Sequence, residues 1–372
     1  MIKRRMTKPL SIGHVTIGGG APVVVQSMCS TDTRNVAATV RQIHELEEAG
    51  CEVVRVAVPD MDAARAIPAI KQQIRIPLIS DIHFDYELAL AAIAGGVDAL
   101  RLNPGNIRRR EQVEAVVRAC KERQIPIRIG VNAGSLPPED PAASGEDKER
   151  LDPDDWIAKR MVDAALGHIR ILEDLDFDAI KVSLKAFDVP TTVAAYRRLA
   201  PLVNYPFHLG ITEAGLTESG SIRSAVGLGI LLNEGIGDTI RVSLTDHPRE
   251  EVRVGFEILK ALNLRVKTPT LISCPTCGRV QVDLFPIANQ INEYLRTVGK
   301  PIKVAVMGCV VNGPGEAKMA DVGIAGGKGK AVLFRKGVVV RTVPESEIVG
   351  ALMAEIKQIE NDMTDAQGDE SP

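Results

Sequence analysis

The stretch "AIKVSLKAFDVPTTVAAYRRLAPLVNYPFHLGIT", residues 179–212, contains one complete strand–helix–strand repeat. Two short runs of largely apolar and β-branched residues, "AIKVSLK" and "PFHLGIT", flank a segment with helical spacing of apolar residues, "VPTTVAAYRRLAPLV". Buried runs of this kind, separated by an amphipathic helix, are typical of parallel strands that a crossover helix connects. This stretch therefore predicts one β/α unit of a parallel sheet.

The same pattern recurs along the first two thirds of the chain. The predicted strands are eight runs at 23–28, 51–58, 76–82, 99–104, 126–132, 179–185, 206–212 and 239–245. Eight such units close naturally into a (β/α)8 TIM barrel, whereas a doubly wound open sheet is the alternative. The count of eight favours the barrel. A β-hairpin around Gly18, Gly19 and Gly20 precedes the first strand and is expected to cover the barrel bottom.

The repeated pattern of apolar strands and amphipathic helices ends near residue 266, which predicts two domains. The barrel domain is assigned to 1–265, and a small α+β domain to 266–363. The polar tail 364–372 is expected to be disordered. The loop 136–155, rich in proline and acidic residues, is longer than a usual βα loop, and its role as a flap or as a solvated insertion stays open. At its end, Asp152 is expected to cap a helix that opens with Pro153.

Composition narrows the class of protein. The chain has 372 residues and a formal net charge of -3, so no global field attracts nucleic acid or an anionic membrane. Its six cysteines are too sparse for a disulfide scaffold and suit a reducing compartment. No apolar run approaches the roughly 18 residues that a membrane span needs, and the basic start lacks the apolar stretch of a secretory signal. A cytoplasmic soluble protein is therefore predicted.

Basic residues interrupt the apolar strands. They are Arg55, Arg101, Arg128, Lys181, Lys185 and Arg241. Charges inside such strands are costly unless they reach a mouth or a partner, and barrel active sites form at the carboxyl ends of the strands. Converging Arg and Lys indicate a bound anion, and the guanidinium fork suits phosphate. The alternative is that these bases pair with acids such as Asp81 or Glu213. The same strand ends offer polar groups: His83, Asn103, Asn132, Ser135 and His208.

Two cysteine motifs lie in the second domain. "SCPTCGR" spans Ser273 to Arg279 and contains Cys274 and Cys277, and "MGCVVNGPGE" spans Met307 to Glu316 and contains Cys309. Glycine and proline shape tight loops around these thiols, as thiolate-held iron–sulfur clusters require, and Glu316 can add an exchangeable oxygen ligand. A dithiol pair, structural zinc and simple packing are the alternatives, and spacing alone leaves iron–sulfur and zinc equally open. The remaining cysteines, Cys29, Cys51 and Cys120, are expected to be buried packing residues.

These motifs, together with "SDIHFD", "RIGVNAGSL" and "HLGITEAG", resemble the bacterial 4-hydroxy-3-methylbut-2-enyl diphosphate synthases of the non-mevalonate isoprenoid pathway, over essentially the whole chain. The resemblance implies a TIM barrel followed by a small domain related to halves of sulfite and nitrite reductases. It implies a [4Fe–4S] cluster on Cys274, Cys277, Cys309 and Glu316. It also implies a homodimer and flavodoxin or ferredoxin as the electron donor.

The implied reaction is the reductive ring opening and dehydration of 2-C-methyl-D-erythritol 2,4-cyclodiphosphate, which uses two electrons. Glu316 and Glu213 are assigned to catalysis. The residues assigned to substrate binding are Arg55, Asp81, Arg101, Asn103, Arg128, Asn132, Lys181, His208, Arg241 and Ser243. Two rival readings are a pterin-binding barrel, which would not need the thiol motifs, and a zinc-stabilised interaction protein without enzymatic activity.

Overall fold

The computed structural model of the chain describes residues 2–82, 85–102, 107, 109–136, 138, 151–309, 315 and 318–368. The fold divides into two compact units, Met1–Arg265 and Val266–Pro372. No helix in the described ranges is both long enough and apolar enough to span a bilayer.

The first unit opens with a β-hairpin. Strands β1 (Leu10–Ile12) and β2 (Val15–Ile17) pair antiparallel, with Ile12 opposite Val15. The hairpin therefore closes at Gly13, whose φ of +54° suits a tight turn, and the prediction that the hairpin is centred on Gly18–Gly20 is wrong. Those glycines follow β2, where a Cβ on Gly18 would lie 2.7 Å from the Lys8 carbonyl oxygen.

The hairpin seals the lower end of the barrel. Ile12 and Ile17 pack against residues at or next to the start of the first four barrel strands. These partners are Val24, Val53, Ile79 and Ala99. All of them are nearly inaccessible to solvent, so the predicted cover at the barrel bottom is present.

Eight parallel strands and eight helices form the barrel in the described part of this unit. The strands are β3 (Val24–Met28), β4 (Val53–Ala57), β5 (Leu78–Ile82), β6 (Ala99–Leu102), β7 (Ile127–Asn132), β8 (Ile180–Lys185), β9 (His208–Leu209) and β10 (Thr239–Ile240). The helices are α1 (Val36–Glu48), α2 (Met61–Lys71), α3 (Tyr86–Ala94), α4 (Arg110–Arg123), α5 (Pro153–Glu173), α6 (Val189–Leu199), α7 (Thr217–Asn233) and α8 (Pro248–Ala261). Helix α5 starts as predicted, because Asp152 accepts a hydrogen bond of 2.9 Å from the Asp155 amide.

The strand order confirms the TIM barrel. The sheet runs β8-β7-β6-β5-β4-β3-β10-β9, and a bridge between Val182 and Phe207 joins its two edges. Strands β9 and β10 are shorter than the predicted runs 206–212 and 239–245. Single backbone hydrogen bonds continue the same pairings beyond both strands: the Arg241 amide donates to the Leu209 carbonyl of β9, and the Thr212 amide donates to the Ala186 carbonyl just after β8.

The second unit is an α+β domain. Its strands are β11 (Thr270–Ser273), β12 (Lys303–Met307), β13 (Val322–Gly327), β14 (Lys330–Arg335) and β15 (Val338–Pro344), and its helices are α9 (Leu284–Leu295) and α10 (Ile348–Gly368). The strands form one sheet in chain order, parallel from β11 to β13 and antiparallel from β13 to β15. Both helices pack on one face through Ile287, Ile291, Leu352 and Ile356.

Helix α10 extends beyond the predicted boundary. It continues to Gly368, past residue 363 where the predicted domain ends, while the disorder of the tail stays a prediction. The Thr364 hydroxyl bonds back to the Glu360 carbonyl at 2.9 Å, which lets this polar residue continue the helix. Residues 369–372 lie outside the described ranges.

Candidate active site

Strand alternation determines which side chains fill the barrel. On β3, Val24 packs at the bottom and Met28 contacts arginines at the top, so every second residue faces the interior. The same parity brings Arg55, Asp81 and Arg101 into one buried cluster: each is less than a tenth exposed. The basic residues of the apolar strands therefore meet inside the barrel, as predicted.

Asp81 is a shared counter-ion. Its carboxylate accepts a hydrogen bond of 3.0 Å from Arg101 Nη1 and lies 3.5 Å from Arg55 Nε. Burial lowers the pKa of Arg55 to about 10, and the Asp81 carboxylate opposes that shift. The ion-pairing alternative is thus correct for these two arginines, and it makes Asp81 an organiser of the basic cluster.

Three further cations have no carboxylate within 4.0 Å among the described residues: Arg128, Lys181 and Lys185. Arg128 makes a long contact of 3.4 Å to the Ser183 hydroxyl, and Lys181 Nζ has no hydrogen-bond partner in the described ranges. Burial lowers the pKa of each group well below its ordinary value, and the neighbouring arginines lower it further. Such a cluster is poorly compensated by protein acids, so it favours an anionic ligand.

Lys185 lies nearer the mouth than Lys181. It is the last residue of β8 and stands opposite Asn132, the last residue of β7. A Cβ on Gly210 would lie 2.7 Å from Lys185 Nζ, so the glycine leaves room for the ammonium group. The sequence singled out both lysines but assigned only Lys181 to substrate binding; the position of Lys185 at the end of β8 makes it a further candidate.

Arg241 is paired differently from the others. Its Nε and Nη2 atoms lie 3.1 Å from the two carboxylate oxygens of Glu251. Its Nη1 atom lies 3.6 Å from the Met28 sulfur, which Arg55 also approaches to 2.9 Å. Glu251 was not predicted as a site residue, because an acid in the first turn of a helix is ordinarily explained by the helix dipole.

Gln26 is a second residue that the sequence analysis missed. It is 1% exposed, and neither atom of its amide group has a hydrogen-bond partner among the described residues. It shares the inward face of β3 with Met28. A polar residue at an inward position of an apolar strand is the same signal that revealed the arginines, so alternation along "VVVQSM" was sufficient to find it.

The remaining predicted binding residues lie at different depths. His208 is fully buried, and its Nδ1 atom is 2.8 Å from the Thr239 hydroxyl. Burial and the nearby Lys185 and Arg128 lower the pKa of His208 well below 6.5, which keeps the ring neutral. Ser243 is half-buried beyond the end of β10. Asn103 and His83 lie outside the described residues.

Glu213 follows β9 and is exposed. Its φ of +52° is in the left-handed region, which non-glycine residues rarely adopt. A strained backbone conformation of this kind persists only where contacts with the surrounding structure hold it in place. Such conformations are concentrated at functional sites. This conformation supports the choice of Glu213 as a candidate without defining its chemical role.

The cysteines of the second unit lie at one end of its sheet. Cys274 directly follows β11, and Cys309 lies two residues after the neighbouring parallel strand β12. The Gly308 amide donates to the Cys274 sulfur at 3.2 Å, and Cys277 is exposed. The Arg279 amide lowers the pKa of the Cys277 thiol. By contrast Cys29, Cys51 and Cys120 are buried, as expected, and burial raises their pKa to about 12.

This arrangement fits a metal group held by thiolates. Amide donation to a ligand sulfur and a thiol with a lowered pKa are what such sites use. The described residues bring together no group of three His, Cys, Asp or Glu side chains at metal-binding distance. Glu316 lies outside the described residues.

Family models match both units. That of the GcpE TIM-barrel domain matches residues 7–256, and that of the GcpE protein C-terminal domain matches residues 270–358. The chain belongs to the GcpE family. The second domain's likeness to sulfite and nitrite reductase halves stays a prediction.

Relatives across nearly the full chain carry one name, 4-hydroxy-3-methylbut-2-en-1-yl diphosphate synthase (flavodoxin). A relative from Geobacter sulfurreducens is 60% identical, with 95% of this chain and 98% of the relative covered. One from Dehalococcoides mccartyi strain BAV1 is 59% identical, covering 96% and 100%. One from Bacillus anthracis is 56% identical, covering 98% and 96%.

A solved structure supports the barrel. The dihydropteroate synthase of Stenotrophomonas maltophilia superposes with a TM-score of 0.51 at 14% identity, covering 69% of this chain and 98% of that one. At this identity the likeness concerns the fold alone.

Proposed function

We propose that this GcpE-family chain converts 2-C-methyl-D-erythritol 2,4-cyclodiphosphate to 4-hydroxy-3-methylbut-2-enyl diphosphate in isoprenoid biosynthesis. The reaction takes up two electrons and two protons, breaks the ring carbon–oxygen bond at the diphosphate and releases one water. The observation that carries the proposal is the buried excess of cations inside the barrel. A cyclic diphosphate presents the negative charges that Arg128, Lys181 and Lys185 lack among the described residues.

The barrel residues would bind and orient the substrate. Arg55 and Arg101 are held by Asp81, which fixes where their remaining N–H groups point. Lys185 and Asn132 are neighbours at the ends of their strands, where they can reach a diphosphate oxygen. Because these groups are already desolvated, their attraction to phosphate is stronger than it would be at a wet surface.

The second unit would hold a [4Fe–4S] cluster through Cys274, Cys277, Cys309 and Glu316. When bound, such a cluster supplies single-electron transfer and a Lewis-acidic iron. Glu316 and Glu213 are the proposed catalytic carboxylates, with roles in proton transfer or charge stabilisation. Flavodoxin, which the relatives' name specifies, is the proposed electron donor.

A homodimer is also proposed. Helix α7 exposes three aliphatic side chains four residues apart, Ile222, Val226 and Ile230, on one stripe. Such a stripe on an outer helix of the barrel supports a buried contact with a second copy. The mass of the protein in solution, measured by light scattering on wild type and on Val226→Asp, tests this. A monomeric wild type would contradict the proposal.

The deciding experiment uses anaerobically purified protein. Iron, sulfide and zinc content and the visible spectrum are measured first, and then turnover of the cyclodiphosphate with reduced flavodoxin. We expect about four irons and four sulfides per chain and formation of the linear diphosphate. Arg128→Ala should weaken cyclodiphosphate binding, whereas Arg118→Ala, at an exposed position on α4, should leave it unchanged. Stoichiometric zinc without colour after reconstitution would overturn the proposal.

A further inference from the structure

Glu251 is a buried carboxylate whose hydrogen bonds converge on one arginine. It lies in the first turn of α8 and is 3% exposed. One oxygen accepts from Ser27 Oγ at 3.0 Å and from Arg241 Nε at 3.1 Å. The other accepts from Arg241 Nη2 at 3.1 Å and from the Leu244 amide at 3.2 Å. Four donors from three residues leave the carboxylate no freedom to rotate.

These contacts fix Arg241 in one orientation. The carboxylate occupies the Nε–Nη2 edge of the guanidinium in the bidentate geometry that gives Arg–carboxylate pairs their specificity. The Nη1 group then points towards the Met28 sulfur at 3.6 Å, beside Arg55, which contacts the same sulfur. A thioether is a weak acceptor, so an anionic oxygen can replace it at both guanidinium groups.

The same carboxylate also holds the chain beyond β10. Its bond to the Leu244 amide and its pair with Arg241 anchor both ends of the segment 241–244, which includes Ser243. If anion binding depended only on the positive field inside the barrel, a carboxylate paired with Arg241 would weaken it. Buried ion pairs also contribute little net stability. The geometry is therefore the better explanation for this acid.

We propose that Glu251 is a positioning residue: it presents the free edge of Arg241, next to Arg55, to a phosphate oxygen of the bound ligand. The inference rests on the proposed function for the identity of that ligand, but its geometric content applies to any diphosphate in the barrel. Asp81 has the corresponding relation to Arg55 and Arg101 from the neighbouring strand.

A double-mutant cycle tests the proposal with inorganic diphosphate as the probe, measured by calorimetry on the full-length holoprotein. Glu251→Gln keeps the side-chain volume but places an amide donor against the donors around it. We expect the dissociation constant to rise about tenfold. In the Arg241→Gln background the same change should alter it by less than about twofold, because the effect passes through Arg241. An equal loss in both backgrounds would overturn the proposal.

Glu250→Gln is the matched control. Glu250 occupies the same helical turn, pairs with Arg253 at 2.7 Å and is 37% exposed, so its charge affects the helix dipole similarly without contacting Arg241. The affinity of the Glu250→Gln variant for diphosphate should equal that of wild type. If Arg241→Gln does not fold, Glu251→Asp decides. Positioning predicts weakened binding because the shorter acid cannot reach the fork, whereas full retention of affinity would overturn the proposal.

Turnover of the cyclodiphosphate separates this inference from the proposed function. A wild type that binds diphosphate with the expected coupling but converts no cyclodiphosphate would leave Glu251 as a positioning residue and remove the proposed reaction. If the wild type converts the cyclodiphosphate but the cycle shows no coupling between Glu251 and Arg241, the proposed reaction stands and the positioning role of Glu251 is overturned.

Discussion

The barrel interior and the cysteine end of the second sheet organise their functional groups in opposite ways. In the barrel, Asp81 and Glu251 hold arginines inside a region that is almost entirely buried. At the cysteine end, Cys277 is exposed, and the Gly308 amide is the donor to the Cys274 sulfur in the described ranges. The barrel arginines are therefore preorganised by side-chain contacts within the chain, whereas the thiols, as ligands of the proposed metal group, would be held chiefly by that group.

The largest effect is expected from a substitution at the cysteine end of the second sheet. Cys309→Ser should abolish conversion of the cyclodiphosphate and lower the bound iron, because an alcohol is a poor replacement for a thiolate ligand. Diphosphate binding in the barrel should persist if the two regions are organised independently, because the barrel cations lie in the first unit and Cys309 lies in the second. Iron content, turnover and calorimetric binding are measured on the same preparation. The control is Cys120→Ala, a buried thiol of α4, which should retain iron and turnover.

An iron content and turnover in Cys309→Ser equal to those of wild type would remove Cys309 from the proposed ligand set. A simultaneous loss of diphosphate binding would instead contradict the independence of the two regions.

The barrel could be predicted because each of its units repeats one local rule: a buried strand followed by an amphipathic helix. The basic residues were found for the same reason, since a charge in an apolar strand is conspicuous. The partner of Arg241 was not found, because Glu251 lies on a helix and only tertiary packing brings it to the strand. The hairpin turn was misplaced because three consecutive glycines gave a stronger local signal than Gly13 alone.

The second-largest effect tests preorganisation inside the barrel. Asp81→Asn should lower the free energy of unfolding by about 3 kcal/mol, because Arg55 and Arg101 remain buried without their shared counter-ion. The single tryptophan, Trp156 on α5, reports the unfolding of this unit in urea. The control is Asp62→Asn, whose pair with Arg65 is about three-quarters exposed and should change the stability by less than about 1 kcal/mol. Equal stability changes in the two variants would contradict the comparison.

The smallest expected effect is the pH dependence of stability and of diphosphate binding that arises from Lys185. Burial and the nearby arginines lower the pKa of Lys185 well below 10.5, so the folded protein binds fewer protons there than the unfolded chain. The stability of the free protein should therefore rise with pH through that window, from the lowered pKa up to the unfolded value. A bound diphosphate favours the charged ammonium and raises the pKa again, so binding should take up protons. Diphosphate affinity should then fall with rising pH, by at most a factor of about ten per pH unit for each proton.

Calorimetry in buffers of different ionisation enthalpy measures this proton uptake directly. Lys185→Met, which keeps much of the side-chain volume without a titratable group, should reduce the uptake and flatten the pH dependence of binding. Lys121→Met, at an exposed position on α4, should leave both unchanged. If Lys185→Met retained the full wild-type uptake, the protons would have to come from other groups, of which Lys181 is the nearest in environment because its pKa is lowered by the same burial and by Arg128 and Arg55. The comparison between the two regions would then hold, but with the titrating lysine deeper in the barrel than the strand ends suggest.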